Sequence, residues 1–557
     1  MIAIRMGQTV LARSLLLLGC CCALAAARPH FGGVGAPLTP PRRYFSRLRR
    51  NGRWWLLTPN GRVFWMLAVD DVDASHGRDT VGRSYANYAI AKYATEKIWA
   101  KQSARRLLSW GFNSLGEYAS LYLLPVRGPW GGGWSNPVRM PFVAMIRPAL
   151  YSLRNLQGFA RNPVKDLLAG VDRRFYRGWR GQATPDVFDP DFAAYARGEA
   201  QALPQSVRQS RWLIGITSDD ADNLVGFGPG PEPQAVRCSP HLGWVAAVTN
   251  FEQSGNARLR LRYRDRQVYT KLALKDFLRR QYGTIARLNA AWRSDYSRFG
   301  DDGGWGRGRG WLDENGRHAW IGSDSCGLHT AQAAVRRDLN HFVYLYARQY
   351  FRATTAALRQ AAPGHLVFGP ATLNGWGGLT RRGILRAAAE NVDVLQANVA
   401  SQRILQETLA ATGKIPIVSW LGLAANADSD LWHYPHAPAG VRLYRTQAGR
   451  GQAYRQAVTT AFWRCEAGQC PVVGIKYWAF ADSWAEKMNW GLVSWRDNAY
   501  DGREAMRKRR HDLWGYSTGG ETRDYGNFLR QVRAGNLQIL RWSAALARRL
   551  GYLPRRR

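Results

Sequence analysis

The run Arg53-Trp-Trp-Leu-Leu-Thr-Pro-Asn-Gly-Arg-Val-Phe-Trp-Met-Leu-Ala-Val69 holds two aromatic and branched segments on either side of a Pro-Asn-Gly turn. This pattern predicts a β-hairpin, which we place at residues 51–65. The second segment continues to Val69 and is followed by Asp70, Asp71 and Asp73. We therefore expect its strand to enter a sheet and to end in polar groups.

Downstream of this hairpin, short apolar runs alternate with segments of helical spacing. The further strand candidates are residues 111–117, 140–146, 212–217, 366–369, 392–396, 415–420 and 472–478. About eight strand–helix units predict the α/β class and a (β/α)8 TIM barrel over residues 66–505, with long loop insertions. Residues 506–557 are expected to form a C-terminal helical segment with a basic tail. A doubly wound sheet is less favoured, because no G-x-G-x-x-G opens a helix after the first strand.

The composition is that of a globular protein with an unusual charge. The chain has 557 residues, 46% hydrophobic and 21% charged, and one barrel with long loops can take most of that length. Its formal net charge of +38 would attract polyanions, including an anionic polysaccharide. An arginine-rich coding bias is the alternative. We find no zinc-finger, RNP-like or helix-turn-helix pattern, so no specific nucleic-acid partner is expected.

The N-terminus has the pattern of an export signal. Arg5 and Arg13 precede an apolar run at residues 15–27 that ends in small residues. We predict a signal peptide at residues 1–27, a flexible lead-in at residues 28–50, and a secreted or periplasmic protein. Lipid anchoring through Cys20 is the rival interpretation, and Leu18 fits a lipoprotein box poorly. No later run of 18 apolar residues predicts a membrane span.

Four cysteines lie beyond the predicted signal: Cys238, Cys326, Cys465 and Cys470. In an exported chain they permit two disulfides, and Cys465 with Cys470 is the best pair because it closes a short loop. Four unpaired thiols remain an alternative. No C-x-x-C or histidine-rich set accompanies them, so we expect neither a metal site nor a cofactor.

Carboxylates and tryptophans recur where the predicted strands end. Active sites of such barrels lie at the carboxyl ends of the strands. The residues at these ends are Asp70, Asp71, Asp73, Glu117, Asp219, Asp220, Asp222, Asn374, Trp376, Gln396, Asn398, Trp420, Asn426, Asp428, Asp430, Asp482, Trp484 and Glu486. Paired carboxylates can cleave a glycosidic bond, and flat rings stack on sugars. The pattern therefore indicates a carbohydrate-active site.

Several of these segments resemble bacterial β-agarases and the β-galactosidase-like glycoside hydrolases. The hairpin resembles their W-W-L…P-x-G-x-x-F opening, Gly111-Phe-Asn-Ser-Leu-Gly116 their second strand, and Trp212-Leu-Ile-Gly-Ile216 their fourth. Asp186-Val-Phe-Asp-Pro-Asp-Phe192 and the helical residues 277–292 match further motifs of these enzymes. The resemblance covers roughly residues 52–500. It implies a retaining glycoside hydrolase, with an acid/base Glu after strand four and a nucleophile Glu after strand seven.

The chain departs from this pattern at both catalytic positions. The fourth-strand D-N-E falls on Asp219-Asp220-Ala221, so that Ala stands where the acid/base Glu is expected. The seventh-strand Glu would fall near Trp420, and Ile415-Pro-Ile-Val-Ser-Trp-Leu-Gly422 holds no carboxylate. The standard pair therefore cannot be carried over.

Other carboxylates could replace that pair. The proposed catalytic residues are Asp220, Asp222 and Glu486, and the proposed substrate-binding residues are Asp71, Glu117, Asp219, Asn374, Trp376, Trp420, Asp428, Trp478, Asp482, Trp484. Crowded carboxylates raise one another's pKa, as a general acid needs, and Asp482 and Glu486 would share one face if their segment were helical. The structural alternative is that the Asp residues cap helices or occupy solvated turns.

Two main functions follow from the sequence, and a basic surface protein that binds polyanions is a third, less favoured one. The first is an exported glycoside hydrolase-like protein that acts on a polysaccharide or oligosaccharide through paired carboxylates. The second is a degenerate barrel that binds a polysaccharide, including an anionic one, without cleaving it. The missing Glu pair favours the second function, and the Asp clusters favour the first.

Overall fold

A computed structural model of the chain describes thirteen stretches of the sequence. These are residues 31–75, 85–126, 135–149, 185–220, 268–301, 309–313, 333–371, 373, 382–399, 401–429, 431–437, 442–499 and 525–552. None of the helices in these stretches is both long and apolar enough to cross a membrane.

A three-stranded antiparallel sheet precedes the barrel. It consists of β1 (Ser46–Arg50), β2 (Arg53–Leu57) and β3 (Val63–Phe64). The predicted hairpin is β2–β3, and Gly61 adopts a φ of 74° in its turn, where a Cβ would lie 2.0 Å from the Thr39 oxygen. β1 lies in the lead-in that we expected to be flexible. Its alternating pattern lets Leu48 pack against the apolar cluster beneath the sheet.

Eight parallel strands form the main sheet. They are β4 (Met66–Val69), β5 (Ser114–Leu115), β6 (Phe142–Ile146), β7 (Leu213–Ser218), β8 (Leu366–Phe368), β9 (Leu395–Gln396), β10 (Ile417–Gly422) and β11 (Val472–Trp478). Each strand pairs with its neighbour in chain order, and β11 returns to pair with β4. A bridge between Phe368 and Val394 joins β8 to the start of β9. The sheet is therefore a near-closed TIM barrel, and the predicted fold class is confirmed.

Helices connect and surround these strands. They are α1 (Tyr85–Tyr93), α2 (Glu96–Ser109), α3 (Phe192–Ala202), α4 (Gln205–Arg208), α5 (Tyr269–Tyr282), α6 (Ile285–Trp292), α7 (Ala333–Ala361), α8 (Arg382–Ala389), α9 (Gln402–Thr412), α10 (Gln447–Trp463) and α11 (Tyr525–Leu550). α11 packs against α10, and Asn536 of α11 links α10 to the end of α2. Its side chain accepts a hydrogen bond from the Tyr454 hydroxyl at 2.8 Å and donates one to the Trp110 oxygen at 3.0 Å.

The barrel interior is apolar in its lower part. Inward-facing side chains such as Met66, Ile214 and Phe368 form one buried cluster with Phe45 and Phe64, which come from the N-terminal segment. The Phe45 and Phe64 rings meet edge to face at 5.1 Å. These side chains close the amino-terminal end of the barrel, so a ligand can approach it at the opposite end, where the strands have their carboxyl ends.

One extra residue shifts the register of β11. Ile417 of β10 pairs with Val472, whereas the next residue, Val418, pairs with Gly474. Val473 is therefore a β-bulge, which changes the phase of the side chains that follow it. Lys476 consequently pairs with Trp420 on one side and with Ala68 on the other.

Cys465 and Cys470 form a disulfide across the loop between α10 and β11. This pairing confirms the one expected from their spacing. Arg53 of β2 reaches the end of α10 beside this loop and donates a hydrogen bond to the Phe462 oxygen at 2.8 Å. The N-terminal sheet is thus attached to the last strand–helix unit of the barrel. Cys238 and Cys326 lie outside the described residues.

Candidate functional site

Four buried polar side chains meet at the carboxyl ends of the barrel strands. They are Asp70 after β4, Glu117 after β5, Gln396 at the end of β9 and Lys476 in β11, each at most 2% exposed. The Lys476 Nζ donates to Glu117 Oε2 and lies 3.5 Å from Asp70 Oδ2. Gln396 Nε2 donates to Glu117 Oε1 at 2.8 Å. We call these four residues the floor cluster, because they lie beneath the mouth of the barrel.

The two carboxyl groups of the floor cluster have pKa values that are shifted in opposite directions. Burial raises the pKa of Asp70 well above its usual range, against the attraction of Lys476. Burial also acts on Glu117, but the charge and hydrogen bond of Lys476 outweigh it, so the pKa of Glu117 is lowered. Burial lowers the pKa of Lys476, and its two acidic neighbours more than restore it. The two carboxyl groups of the cluster therefore differ in proton affinity, and Glu117 is the one that forms the close ion pair with Lys476.

The backbone holds the two carboxyl groups of the floor cluster together. The Glu117 amide donates to Asp70 Oδ1 at 3.1 Å. The intervening Gly116 leaves room for this contact, because a Cβ there would lie 1.7 Å from the same oxygen. Any larger residue at position 116 would push Asp70 away from Glu117 and Lys476.

Asp220 is the carboxylate at the end of β7 that faces this mouth. Its Oδ2 accepts a hydrogen bond from the Tyr118 hydroxyl at 3.1 Å, and its charge acts on both Asp70 and Lys476. Burial and the neighbouring Asp220 charge raise the pKa of Tyr118, so the phenol stays protonated as the donor. The Arg147 guanidinium lies 4.6 Å from the centre of the Tyr118 ring.

Aromatic rings surround the mouth on the side of the last two strands. Trp478 meets Tyr118 edge to face at 6.1 Å. Trp420 lies at the end of β10, beside Lys476 in the sheet, and is 7% exposed. In the loops that follow β10 and β11, Tyr434 lies 6.0 Å from Trp484.

Trp432, in the loop after β10, is the most exposed of these rings. It is 57% exposed and stacks on His433 at 3.7 Å. Exposed flat rings of this kind can pack against the apolar faces of sugars.

Asp219, one of the predicted substrate-binding residues, points into the barrel wall, between the loop after β6 and α7. It is fully buried with a φ of 54°, and its carboxyl group accepts hydrogen bonds from the Ala149 amide and from the Tyr350 hydroxyl at 2.6 Å. Burial raises its pKa to about 7. These contacts join the loop after β6 to α7, so Asp219 supports the segment that presents Asp220.

Asp482 and Asp428 also make contacts within the fold. Asp482 accepts hydrogen bonds from Asn489 Nδ2 at 2.9 Å, from the Gly491 amide at 2.7 Å and from the Tyr525 hydroxyl. Burial raises the pKa of Asp482 to about 6. Asp428 Oδ2 accepts from the Gln447 amide at 2.7 Å, at the first residue of α10.

The segment that carries Glu486 is a turn. Ser483 and Met488 form an antiparallel bridge, so the helix that would have placed Asp482 and Glu486 on one face is absent from this segment. Glu486 is half-buried, and its amide donates to Ser483 Oγ at 3.1 Å. Its catalytic role stays a prediction.

The remaining predicted residues divide into two groups. Asp71 is half-buried beside the floor cluster, where its amide donates to the Glu117 oxygen at 2.9 Å. Three predicted site residues lie outside the described residues: Asp222, Asn374 and Trp376. Within the described stretches, no group of three or more His, Cys, Asp or Glu could hold a metal ion.

Sequence reasoning missed Lys476 and Tyr118. A lone lysine in the apolar run Val472-Val-Gly-Ile-Lys-Tyr-Trp478 is the signal that could have identified Lys476, because an unpaired ammonium would be too costly in a buried strand. Tyr118 directly follows Glu117 and has no comparable signal. Its role depends on a contact with Asp220, 102 residues away in sequence.

Comparisons with known proteins identify distant relatives. β-Agarase A of Vibrio sp. (strain JT0107) is 25% identical over 328 residues, which cover 58% of this chain and 26% of that protein. β-Agarase B of the same strain is 22% identical over 520 residues, covering 85% of this chain and 48% of that protein. The chain thus spans about half or less of the length of these curated relatives. No protein-family model matches it.

Solved structures agree on the fold. An exo-β-agarase superposes with a TM-score of 0.63 at 18% identity, covering 98% of this chain and 72% of that one. A second agarase gives a TM-score of 0.62 at 17% identity, covering 98% and 72%. The chain therefore has a β-agarase-like fold, as its motifs indicated.

Proposed function

We propose that this protein binds a polysaccharide of the agar type at the mouth of its barrel. The observation that carries the proposal is the arrangement of Asp220, Tyr118 and Trp478 around the floor cluster, within a β-agarase-like fold. A carboxylate and a phenol can bind sugar hydroxyls, while the Trp478 ring can stack on an apolar sugar face. The related β-agarases support agar as the class of substrate.

Binding without the usual two-Glu cleavage is the function that the geometry supports best. A retaining enzyme needs two carboxyl groups about 5–5.5 Å apart, one of which attacks the sugar. Trp420 lies two residues before the end of β10, near the position where the related enzymes are expected to hold the nucleophile. Glu117 is buried and paired with Lys476, so it has neither the exposure nor the free charge of a nucleophile.

Hydrolysis is a second candidate, and one observation favours it. The pKa values of Asp70 and Glu117 are displaced in opposite directions, which is how sites separate an acid from a base. In this mechanism Asp220 is the carboxyl group that contacts the sugar. The floor cluster then sets the proton distribution around Asp220.

One set of variants distinguishes the two functions. Binding and cleavage are measured on a polysaccharide panel for the wild type, Asp220→Asn and Trp478→Ala. Asp276→Asn, at a half-exposed residue on the outer helix α5, is the control. We expect binding that weakens about tenfold in Trp478→Ala through lost stacking, with no cleavage. A wild type that binds no glycan on the panel would refute the proposal.

Cleavage would identify the second candidate. If the wild type cleaves and Asp220 is the acid or base, Asp220→Asn should lose about 10²–10⁴-fold in rate while it retains most binding. If cleavage stays within a few-fold in Asp220→Asn, the catalytic assignment fails, and Glu486→Gln and Asp222→Asn become the next variants.

Export and a preference for anionic chains also belong to the proposal. The N-terminal pattern supports export, and the Cys465–Cys470 disulfide is of a kind that persists in oxidising compartments. The net charge of +38 supports binding of an anionic polysaccharide.

A further inference from the structure

A second cavity lies outside the barrel wall, between β10 and α10. It encloses about 390 Å³, which is within the range of small-molecule pockets. Ser419 of β10 and Ala457 of α10 line its two sides, and Asn398 lines it from the loop after β9. Its lining also includes Arg442, Tyr444 and Arg464. Trp420 of β10 also lines the cavity, so the cavity adjoins the strand that borders the mouth.

Two arginine side chains line the cavity, Arg442 and Arg464. Among the described residues, neither Arg442 nor Arg464 forms an ion pair, in contrast to Lys476 of the floor cluster. Arg464 is half-buried and donates to the Val399 oxygen, and burial lowers its pKa. Arg442 is exposed, and its guanidinium lies 5.2 Å from the Tyr444 ring centre. The partly desolvated guanidinium of Arg464 is costly unless acceptors or an anion join it, and Arg442 can contribute a second charge to the same anion.

The remaining lining suits a sugar ring. The hydroxyl of Ser419 and the amide of Asn398 can exchange hydrogen bonds with sugar hydroxyls. Tyr444 and Ala457 offer apolar surface to the face of a ring. The planar guanidinium forks of Arg442 and Arg464 match the geometry of a sulfate ester or a carboxylate.

We propose that this cavity binds a sugar unit that carries an anionic substituent, a sulfate ester or a carboxylate, separately from the barrel mouth. The sugar part of this inference rests on the proposed function. The anionic part rests on the two guanidinium groups alone. Such a site would hold a charged residue of a polysaccharide chain beside the mouth.

Calorimetric titration at low ionic strength tests the proposal with three probes. These are a sulfated monosaccharide, its unsulfated counterpart and inorganic sulfate. We expect the sulfated sugar to bind more tightly than either of the others, and added salt to weaken its binding. Arg442→Gln and Arg464→Gln should each weaken it about tenfold or more, because each removes a charge-assisted hydrogen bond.

Two further variants keep the result interpretable. Arg445→Gln removes a charge from an exposed residue of the same loop that does not line the cavity, and it should bind as the wild type does. Ala457→Leu narrows the cavity without a change of charge and should weaken binding. This variant also replaces Arg464→Gln if the loss of the Val399 contact prevents folding.

Several outcomes would overturn the proposal. They are equal binding of inorganic sulfate and sulfated sugar, no binding of a sulfated or carboxylated sugar, and binding that survives Ala457→Leu and both arginine variants. The Trp478→Ala variant separates this site from the mouth. If it abolishes binding of the monosaccharide, the sugar occupies the mouth and the cavity proposal fails. If the polysaccharide does not bind the wild type but the sulfated monosaccharide depends on Arg464, the function proposed for the mouth fails and this one stands.

Discussion

Replacing Lys476 by Met should destabilise the protein strongly and in a pH-dependent way. Lys476 is the cation of the floor cluster, where it contacts Glu117 and lies 3.5 Å from Asp70. Methionine has a similar length and fits the apolar strand, so the substitution removes the charge while it keeps most of the volume. It leaves Glu117 buried without its counter-ion.

The expected loss at pH 7 is about 3–5 kcal/mol in the free energy of unfolding, the usual cost of removing one partner of a buried ion pair. Coulomb's law gives a compatible size. Two unit charges in contact at an effective dielectric constant of about 20 attract by roughly 5 kcal/mol. Because Lys476 and Glu117 are at most 1% exposed, solvent screens this pair little.

The pH dependence distinguishes a charge effect from a packing defect. The pKa of Glu117 is lowered in the folded protein, so its stabilising contribution is present above the usual value of about 4 and is lost as the pH falls. Without Lys476, burial acts on Glu117 against only its remaining hydrogen bonds, including the one from Gln396, so its pKa should rise. The variant should therefore take up a proton on acidification. Its deficit against the wild type should be largest at pH 7 and should shrink towards pH 4–5.

Urea unfolding at pH 7 and pH 5, followed by circular dichroism, measures both effects. Lys275→Met serves as the control, because Lys275 forms a half-exposed pair with Asp276 that should contribute at most about 1 kcal/mol. The double variant Lys476→Met/Glu117→Gln should recover part of the loss. A deficit below about 1 kcal/mol, or one that is equal at both pH values, would refute the ion-pair reasoning.

Three other predictions follow from single features. Asp219 has a pKa of about 7 in the folded protein and therefore keeps a proton that the unfolded chain releases near pH 4, so the stability that it contributes is lost as the pH rises towards 7. In Asp219→Asn the free energy of unfolding should depend less on pH between about 4 and 7, and an unchanged dependence would contradict the raised pKa. The double substitution Cys465→Ser/Cys470→Ser should cost about 2 kcal/mol through the short loop, measured by urea unfolding against the oxidised wild type, whereas no loss would mean that the disulfide does not constrain the chain. Binding of a sulfated polysaccharide should weaken between about 50 and 300 mM salt while that of a neutral one changes little, and equal, salt-insensitive binding would remove the charge argument.

The fold was predictable because its signals are local. Each barrel strand is a short apolar run that ends in polar residues, as in Met66–Val69 before Asp70, and the order of such runs specifies the topology. The strand at Ser46–Arg50 was missed because three of its five residues are arginines, a composition that resembles a solvated lead-in. Its pairing with β2 depends on contacts that the local pattern does not show.

The site was predictable only in part, because its chemistry depends on long-range contacts. Lys476 and Glu117 are 359 residues apart, and nothing near Glu117 indicates a cation. Asp219 and Asp220 are adjacent and chemically alike, yet the positive φ at Asp219 directs one carboxyl group into the barrel wall and the other to the mouth. The sequence pattern does not show which of two neighbouring carboxylates faces the cleft.

The β-bulge at Val473 separates the charge of the mouth from the number of residues in the strand. Val473 and Gly474 both face the barrel interior, and the residues after them keep partners that do not depend on Val473. Deleting Val473 would restore a regular alternation and leave Lys476 opposite Trp420 and Ala68, so the ammonium would still face Asp70 and Glu117. Relatives that lack this residue should accordingly keep the electrostatics of the mouth and differ in the apolar packing of the lower barrel.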